Sequence, residues 1–513
     1  MTAYQPAGPF FFMKIPSFKK FPVFLCALFG LLGTCVPSYC YEDGKAEAAK
    51  TREMTLTDCV FLALRNNRDI RSAHLDRVVQ KFDLRVAEDE FVPDLTINPS
   101  VKHKSTGDGQ NRSYTNQGAI SATVSQKLKT GAELAFIWSD SADRAIDGNT
   151  PADTYNSSWN ITFRQPLLKG GGITVNMIPL ESARITEQNN ILSLKSTIIN
   201  TITSAINAYR SFFQARKQLE ISRNSVKRAK DLLEVNKALI QAGRMAKVEI
   251  VQTQADVADK EFSLTQSRNS VDAARYSLLK VLDIDKHTMV IPTEKIQIKA
   301  IKPDLERCKA LALKARPDYL QALLNMKTTD LELVAAKNNY LWDLSLEGAY
   351  GISATDSLQR RNAWKRISNS NRSDWEVGVS LSIPFGDLTR KQRVLRAQTS
   401  VKKARMRLNE LTENIEIEVI DAVRDVEMKL TQVGFARQAR ELTARKLEIE
   451  KEKLKAGRSS NFQLVTFQND LINSQNNELN ATINYLNALA ALDRTLGTTL
   501  DTWKIDIEKV KED

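Results

Sequence analysis

The chain has 513 residues and a formal net charge of +12 at pH 7. Apolar residues make up 42% of it and charged residues 26%, which excludes a disordered chain and a polytopic helical membrane protein. Aromatic residues account for only 7%, a balance typical of long helices rather than of an enzyme with a large compact core. The basic residues are not interleaved with aromatic ones as in proteins that track a nucleic-acid strand, so we expect no nucleic-acid partner.

The first 40 residues have the features of a secretory signal. A basic segment, "MKIPSFKK", begins at Met13 and precedes the apolar run "FPVFLCALFGLL", which is too short to span a membrane comfortably. We therefore predict a signal peptide over residues 1–40. Two cleavage sites remain open: "LLGTC" resembles a lipobox that would leave Cys35 as an acylated N-terminus, whereas ordinary signal peptidase would cleave near Cys40.

The rest of the chain is duplicated. Residues 59–97 align without a gap on residues 308–346, with eleven of 39 positions identical at an offset of 249. Two Ala-Gly-Arg segments, 242–244 and 456–458, repeat at an offset of 214, so the first copy carries about 35 additional residues. The predicted units are an N-terminal linker 41–54, a first structural repeat 55–290, a linker 291–304, a second structural repeat 305–497 and a C-terminal tail 498–513.

Two cysteines occupy equivalent positions in the repeats, Cys59 and Cys308. The matched apolar residues around them recur at helical spacing, which indicates a shared buried face. The two cysteines are predicted either as small buried hydrophobic residues or, as the alternative, as a disulfide.

Alternating segments predict β-strands in both copies. From Trp375 to Ile383 and from Trp159 to Phe163, apolar residues alternate with polar or small ones, as in transmembrane β-strands. A soluble half-buried sheet would show the same alternation. The additional length of the first copy predicts an inserted hairpin over 118–140 with a tight "LKTG" turn, flanked by long polar loops at 105–117 and 141–157.

A basic segment between two predicted strands, 359–374, is expected to be an extracellular loop. It contains Arg360, Arg361, Lys365, Arg366 and Arg372. We expect it to face an anionic membrane surface, although solvated charge would give the same composition.

The remaining segments predict long helices. Residues 181–242 contain neither glycine nor proline, enough for a helical rod of about 90 Å. After each Ala-Gly-Arg segment an unbroken run returns, over 244–284 and 458–496, so Gly243 and Gly457 are predicted at the reversals of antiparallel coiled-coil hairpins. Four strands per chain cannot close a barrel, and an open edge is not tolerated in lipid, so the chain is expected to oligomerise. Three chains would give about 12 strands, or about 18 with the inserted hairpins.

In this order and spacing, the sequence resembles the TolC-type outer-membrane efflux protein family. The residues that carry the resemblance are "MTLTDCVFLALRNNRDI", "FRQPLLKGGGITVN", "SLSIPFGD" and the two Ala-Gly-Arg tips, within residues 54–500. The resemblance implies a mixed α and β fold: a long antiparallel α-helical tunnel plus transmembrane β-barrel strands, built from the tandem repeat and completed by trimerisation. It also implies a passive duct in the outer membrane that extends into the periplasm, without catalysis or cofactor. A periplasmic adaptor and an inner-membrane pump would be its partners, in a tripartite efflux or type I secretion system.

The resemblance also implies roles for particular residues. Gly243, Arg244, Gly457 and Arg458 correspond to the tips that contact the adaptor and close the tunnel. The ring that closes the tunnel in the family is often acidic, but here its positions are Glu249 and Gln252 in the first copy and Gln463 and Thr466 in the second. Pro166 and Pro384 match the family's joints between strand and helix. As alternatives, Glu249 is an ordinary solvated residue, and Arg244 and Arg458 complement the helix dipole.

Two other classes of protein fit the sequence less well. A periplasmic coiled-coil adaptor or structural protein without a barrel would share the long helices but not the duplicated alternating strands. An enzyme is disfavoured because the sequence has no HExxH, nucleophile elbow or P-loop, and "GGG" at 170–172 lacks the G-x-G-x-x-G spacing.

We predict that the chain is cleaved before residue 42. If Cys35 is acylated, palmitate label will follow the protein, and Cys35→Ser will abolish the labelling. Unlabelled protein with Tyr41 at its N-terminus, identified by N-terminal sequencing, would exclude the lipoprotein.

Overall fold

The computed structural model describes residues 51–107, 112–147, 150–294, 298–368, 373–456 and 458–506. The predicted signal peptide, Cys35 and Gly457 lie outside the described residues, as does Arg372 of the basic segment.

The first repeat runs from a short strand through two helices and four long strands to a helical hairpin. In chain order its elements are β1 (Thr51–Met54), α1 (Leu56–Asn66), α2 (Arg68–Asp89), β2 (Asp94–Gly107), β3 (Arg112–Lys127), β4 (Glu133–Asp147), β5 (Thr150–Pro166), α3 (Ile173–Asn176), α4 (Ile178–Gln241), α5 (Glu249–Leu282) and β6 (Met289–Pro292).

The second repeat has the same plan with two strands instead of four. Its elements are α6 (Leu305–Ala315), α7 (Pro317–Tyr340), β7 (Asp343–Asp356), α8 (Arg360–Ser368), β8 (Asp374–Ser382), α9 (Leu388–Lys455), α10 (Asn461–Leu496) and α11 (Thr499–Thr502).

The structure confirms the duplication. Helix α1 begins at Leu56 and α6 at Leu305, while β2 begins at Asp94 and β7 at Asp343, so both pairs keep the offset of 249. Both first helices are capped by side chains. In α1 the Thr55 hydroxyl accepts the Asp58 N–H, and the Asp58 carboxylate accepts the Thr55 N–H, which satisfies two donors that the helix leaves free.

Six strands form one antiparallel sheet in the order β2-β3-β4-β5-β7-β8. The inserted hairpin supplies parts of β3 and β4, so the prediction of a hairpin is confirmed, and both of its strands pair within the sheet. The predicted polar loops are wrong for most of their length, because β2 continues to Gly107, β3 already begins at Arg112, and β4 and β5 extend over nearly all of 141–157. Ladder hydrogen bonds carry these strands beyond the end of the apolar alternation.

The two faces of the sheet differ in polarity. One continuous row across all six strands is apolar: Leu95, Val124, Phe136, Ile161, Tyr350 and Trp375. The neighbouring row, which points to the other face, is polar or small: Asp94, Ser125, Ala135, Thr162, Ala349 and Glu376. We call these the apolar face and the polar face.

The long helices are confirmed, with changed ends. Helix α4 has 64 residues and α9 has 68, which correspond to about 96 and 102 Å. Gly434 does not interrupt α9. The returning helices begin later than predicted, at Glu249 and Asn461, because short turns follow each tip. None of the helices in the described ranges is both long and apolar enough to cross a membrane.

The helices that continue from the strands lie side by side. Helix α2 packs on α4, α4 on α7, and α7 on α9. Helices α2 and α9 therefore flank this row, just as β2 and β8 flank the sheet. The largest apolar cluster lies where α1 and α5 meet the middle of α4, around fully buried side chains such as Ile198, Ile202 and Leu278.

Both cysteines behave as buried hydrophobic residues. Cys59 and Cys308 are free thiols in separate apolar clusters, so the alternative of a disulfide is wrong. Burial raises the pKa of the Cys59 thiol to about 12 and also raises that of Cys308. Neither thiol is therefore reactive in the folded chain.

The predicted linkers contain a small sheet of their own. Strand β1 pairs in parallel with β6, and the Tyr209 hydroxyl on α4 donates to Met54 O at 3.2 Å. Leu500, in the predicted tail, is buried in the same cluster as α1. The boundaries of the repeats remain a prediction, but these connecting segments pack on the helices.

Helices α5 and α10 end at equivalent residues, but only one of the two positions has no room for a side chain. Asp283 and Gly497, 214 positions apart, both have positive φ, 48° and 73°. A Cβ at Gly497 would lie 2.9 Å from the backbone of Ala315, closer than side chains pack. Asp283 instead projects outward and pairs with Arg68.

We expect Gly497→Asp to destabilise the protein and the reciprocal Asp283→Gly to be nearly neutral. The left-handed conformation costs about 1–2 kcal/mol for a residue with a Cβ, and the contact with Ala315 adds to it. The Arg68–Asp283 pair is exposed and contributes little. Thermal unfolding measures both effects, and an equal fall in melting temperature for the two variants would contradict this account.

Candidate functional site at the helical tips

The first tip closes with a pattern common at helix ends. Gly243 follows the end of α4 with a left-handed φ of 69°, as predicted. Its N–H donates to Ile240 O at 3.0 Å, and the Arg244 N–H donates to Leu239 O at 2.9 Å. These bonds satisfy carbonyl groups that the last helical turn leaves free, and glycine suits the position because it tolerates that φ without strain.

The second tip makes the corresponding bond. The Arg458 N–H donates to Lys453 O at 2.8 Å, across the same five residues as in the first tip. Ser460 then caps α10 by accepting the Gln463 N–H at 3.3 Å. The side chains of Arg244 and Arg458 are both exposed, so they are accessible to a partner.

The buried carboxylate of Glu450 stabilises the turn of this second tip. The Ser459 hydroxyl donates to Glu450 at 2.6 Å, and Lys453 lies 3.3 Å from the same carboxylate. The hydrogen bond from Ser459, followed by the charge of Lys453, holds the pKa of Glu450 below its usual range. The turn after α9 is thus tied to the helix that precedes it.

The two tips contact each other through Asn461. Its side chain is 2% exposed, and its Nδ2 donates to Glu249 Oε2 at 3.3 Å and lies 3.3 Å from Met245 Sδ. Further along the same pair of helices, Lys260 on α5 donates to Asn469 Oδ1 on α10 at 2.6 Å. A small apolar cluster packs α4, α9 and α10 together near the tips: Leu232, Leu447, Leu464 and Leu471.

The structure separates the four predicted gate residues into two pairs. Glu249 and Gln252 lie one turn apart on α5, and Gln463 and Thr466 lie one turn apart on α10. Within the described residues, no hydrogen bond or ion pair joins one pair to the other. Glu249 is half-buried against Asn461, whereas the other three side chains are exposed.

Their chemistry is polar rather than ionic. The Thr466 hydroxyl donates to Phe462 O on its own helix at 2.8 Å. The Gln463 amide is exposed at the surface of α10 and can both donate and accept. The Glu249 carboxylate is the one acid of the four, and Asn461 already donates to it. Sequence reasoning missed Asn461, and its only signal was an amide directly after the Ser cap.

The joints between sheet and helices are rigid. Pro166 is the last residue of β5, and Pro384 lies between β8 and α9. After Pro166, the Gly170 N–H donates to Asn338 Oδ1 at 2.7 Å, while Asn338 Nδ2 donates to Leu168 O at 3.2 Å. After Pro384, Asp387 caps α9 through the Thr389 N–H. Hydrogen bonds therefore fix the backbone of the glycine segment 170–172.

The turn of the inserted hairpin packs on the first joint. The Gly172 N–H donates to Thr130 O at 3.0 Å, and Gly131 packs so closely on Gly170 O that no side chain would fit. Gly131 itself has a φ of 90°. The hairpin is thus built into the junction between sheet and helices.

A family model described as outer membrane efflux protein matches residues 60–282 and 310–498, one match in each repeat. The chain belongs to the outer membrane efflux protein family. Membership assigns it to the outer membrane and to efflux, and the family consists of channel-type proteins. No curated protein is significantly similar to it in sequence.

Solved structures of outer-membrane proteins share the fold. The Campylobacter jejuni CmeC outer membrane channel is 15% identical with a TM-score of 0.65, and the match covers 86% of each chain. The outer membrane protein VceC of Vibrio cholerae is 14% identical with a TM-score of 0.65, covering 86% of this chain and 96% of its own. The open state of the Neisseria gonorrhoeae MtrE channel is 14% identical with a TM-score of 0.62, covering 87% and 89%.

We predict that removing the polar groups on α10 of this efflux-family protein loosens closure. Gln463→Ala combined with Thr466→Ala should raise single-channel conductance in a planar bilayer. Each hydrogen bond lost contributes about 1 kcal/mol, so the loss of three in a ring would shift the equilibrium between closed and open states on the order of a hundredfold. Unchanged conductance would show that the ring lies elsewhere.

Glu249→Gln should act differently. It preserves an acceptor for Asn461 but removes the charge, so it should mainly reduce preference for cations, measured as the reversal potential in a salt gradient. Glu413→Gln, an exposed glutamate on α9, is the matched control and should leave the reversal potential unchanged.

Proposed function

We propose that this chain is the outer-membrane channel-tunnel of a tripartite efflux or type I secretion system. It would act as a passive duct across the periplasm and the outer membrane for small molecules or proteins. A homotrimer would form the duct, and a periplasmic adaptor and an inner-membrane pump would supply substrate and energy.

The observation that carries this proposal is that unpaired strand edges and exposed apolar helix stripes lie on the same two sides of the chain. Strands β2 and β8 are the edges of the sheet, so each pairs on one side only within the described residues. Helix α2 leads into β2, and α9 follows β8. If β8 of one copy pairs with β2 of the next, α9 of the first copy meets α2 of the second.

Both of these helices carry exposed apolar stripes. On α2 the stripe is Leu75, Val79, Phe82 and Val86, each more than half exposed. On α9 it extends along the whole helix through Leu388, Leu395, Met406, Ile417, Met428, Phe435, Leu442 and Ile449. Unpartnered apolar surface of this extent is characteristic of an interface, and its spacing suits helix packing. A second copy of the chain would cover both stripes and both sheet edges at once.

The strand number supports closure into a barrel. Three copies of a six-stranded sheet would give 18 strands, an even number within the range of bacterial outer-membrane barrels. The apolar face would meet lipid and the polar face would line the lumen. The proline joints would stand at the periplasmic rim, and the tips, about 100 Å away along α4 and α9, would meet the adaptor.

The tips supply the proposed adaptor contact and gate. Arg244 and Arg458 would meet the adaptor, with Gly243 and Gly457 shaping the turns that present them. Gln463 and Thr466 would face the axis beside Glu249 and Gln252, where amides and hydroxyls can bridge neighbouring copies.

The competing function is a periplasmic adaptor or structural coiled coil. It would leave unexplained why a six-stranded sheet presents a continuous band of apolar side chains on one face. Detergent-dependent, heat-modifiable migration in the outer-membrane fraction supports the channel, and a detergent-free soluble protein would support the alternative.

We expect Phe82→Asp to prevent trimerisation. Phe82 is 63% exposed in the single chain, so the change leaves the fold intact but places a charge in the proposed interface. Light scattering of the purified protein should show a threefold fall in mass, and channel conductance should disappear.

Phe61→Asp is the matched control, because Phe61 on α1 is 55% exposed but lies off both stripes. It should leave both mass and conductance at wild-type values. A trimer that persists in Phe82→Asp would contradict the assignment of α2 to the interface.

A further inference from the structure

Helix α8 lies on the apolar face of the sheet, where an extracellular loop was expected. Asp140 on β4 points to that face, because it has the same parity as Phe136 and Trp138. It is 2% exposed and accepts hydrogen bonds from Arg360 Nε at 2.6 Å and Trp364 Nε1 at 2.7 Å. Two side chains of α8 are therefore anchored to the outside of the sheet.

A second buried acid fixes the two ends of the helix. Asp356, at the end of β7, accepts the backbone N–H groups of Leu358 and Gln359 at 2.8 and 2.9 Å. It also pairs with Arg366 at 3.0 Å. Ala363, between these anchors, is completely buried. The expectation of a loop over 359–374 is wrong for residues 360–368, since these contacts stabilise a helix.

The helix sits at the upper limit of the apolar band. The apolar alternation of β4 ends at Asp140, two residues after Trp138. Asp140 lies about 23 Å along the strand from Glu133, or about 18 Å above it at a strand tilt of about 40°. An outer-membrane barrel has an apolar band of about 25 Å, bordered by aromatic residues. Trp138 and Trp159 pair directly across the strands just below, and Trp364 lies 5.7 Å from Trp138 between ring centroids.

The outward side of α8 combines an aromatic ring with unpaired cations. Arg361 and Lys365, one turn apart, are exposed, and neither side chain has a hydrogen bond or ion pair within the described residues. Trp364 is 42% exposed beside them. Arg360 and Arg366 are engaged by buried acids, so the two free cations are the charges that α8 can offer to a ligand.

We propose that α8 is an interfacial helix that binds the phosphate groups of anionic outer-leaflet lipids through Arg361 and Lys365, with Trp364 at headgroup level. This rests on the proposed function, because it requires the apolar face to meet lipid. The geometry favours a lipid over a soluble anion. The two cations stand beside the exposed ring of Trp364, and in the proposed barrel this places them near the boundary between hydrocarbon and water, where lipid phosphates lie.

The test uses the full chain purified in detergent and titrated with purified lipopolysaccharide. Each cation at an anionic surface contributes about 1 kcal/mol, so Arg361→Ala with Lys365→Ala should weaken binding by about tenfold to thirtyfold. Lys403→Ala with Arg407→Ala, an exposed pair at the same spacing on α9, should leave binding unchanged. An equal loss in both variants, or none in the first, would overturn the proposal.

Two further arms distinguish lipid binding from binding of a free anion and from a periplasmic position of α8. Inorganic phosphate, at a concentration matched to the phosphate groups of the lipid, should compete only weakly with lipopolysaccharide for the protein. Competition as strong as that by unlabelled lipopolysaccharide would overturn the lipid assignment. The variant Ser368→Cys, at the exposed end of α8, should react with an impermeant maleimide on intact cells. Reaction only after lysis would also overturn the lipid assignment. Light scattering and membrane fractionation of the same samples report separately on the trimer and the channel. A loss of the trimer or of the outer-membrane location would contradict the proposed function rather than lipid binding by α8.

Discussion

The backbone groups of the two edge strands constrain this molecule more than any side chain does. Each edge of the six-stranded sheet presents a row of N–H and C=O groups, and one face of the same sheet is apolar from β2 to β8. In hydrocarbon an unsatisfied peptide group costs several kcal/mol, so an apolar face and an open edge are compatible only if the edge is paired by another chain. The exposed apolar stripes on α2 and α9 also favour a partner, because apolar surface in water is stabilised by burial. They lie on the helices that continue from those two edge strands. The proposed closure by further copies of the chain would thus account for surfaces that are far apart in the sequence.

Duplication supplies this architecture with two equivalent but chemically different halves. In the first repeat, Asn67 Nδ2 donates to Val281 O at 2.9 Å, which ties the turn after α1 to the end of α5. In the second, Arg316 donates to Thr495 O at 3.4 Å, which makes the same tie between α6 and α10. The two pairs of residues are related by the offsets of 249 and 214. The position of the contact is retained, although an amide and a guanidinium provide it, so packing of the helices rather than a particular side chain determines the fold.

Much of the fold could be predicted because its signals are local. Unbroken helical runs, alternating strands and the glycine of the first tip depend on neighbouring residues, and the helices and strands appear in both repeats. The strand ends could not be predicted, since beyond the apolar band Ser, Asp and Asn give no alternation and only the ladder of hydrogen bonds keeps them extended. Helix α8 was missed for another reason: nine residues do not form a stable helix alone, and its anchor, Asp140, lies 220 positions away. At the tips, Gly243 could be placed from sequence, but the contact of Asn461 with Glu249 joins two repeats whose relative position no local pattern encodes.

The spacing of the apolar stripe on α9 has a consequence for the shape of the proposed duct. From Leu395 to Met428 its members are 11 residues apart, and from Met428 to Ile449 they are seven apart. An 11-residue repeat winds helices weakly to the right, whereas a seven-residue repeat winds them to the left. Neighbouring rods would therefore run almost parallel near the sheet and begin to coil about each other only beyond Met428. The pitch of the assembly would change within one continuous helix, and a narrowing of the passage towards the tips would follow from that change in period.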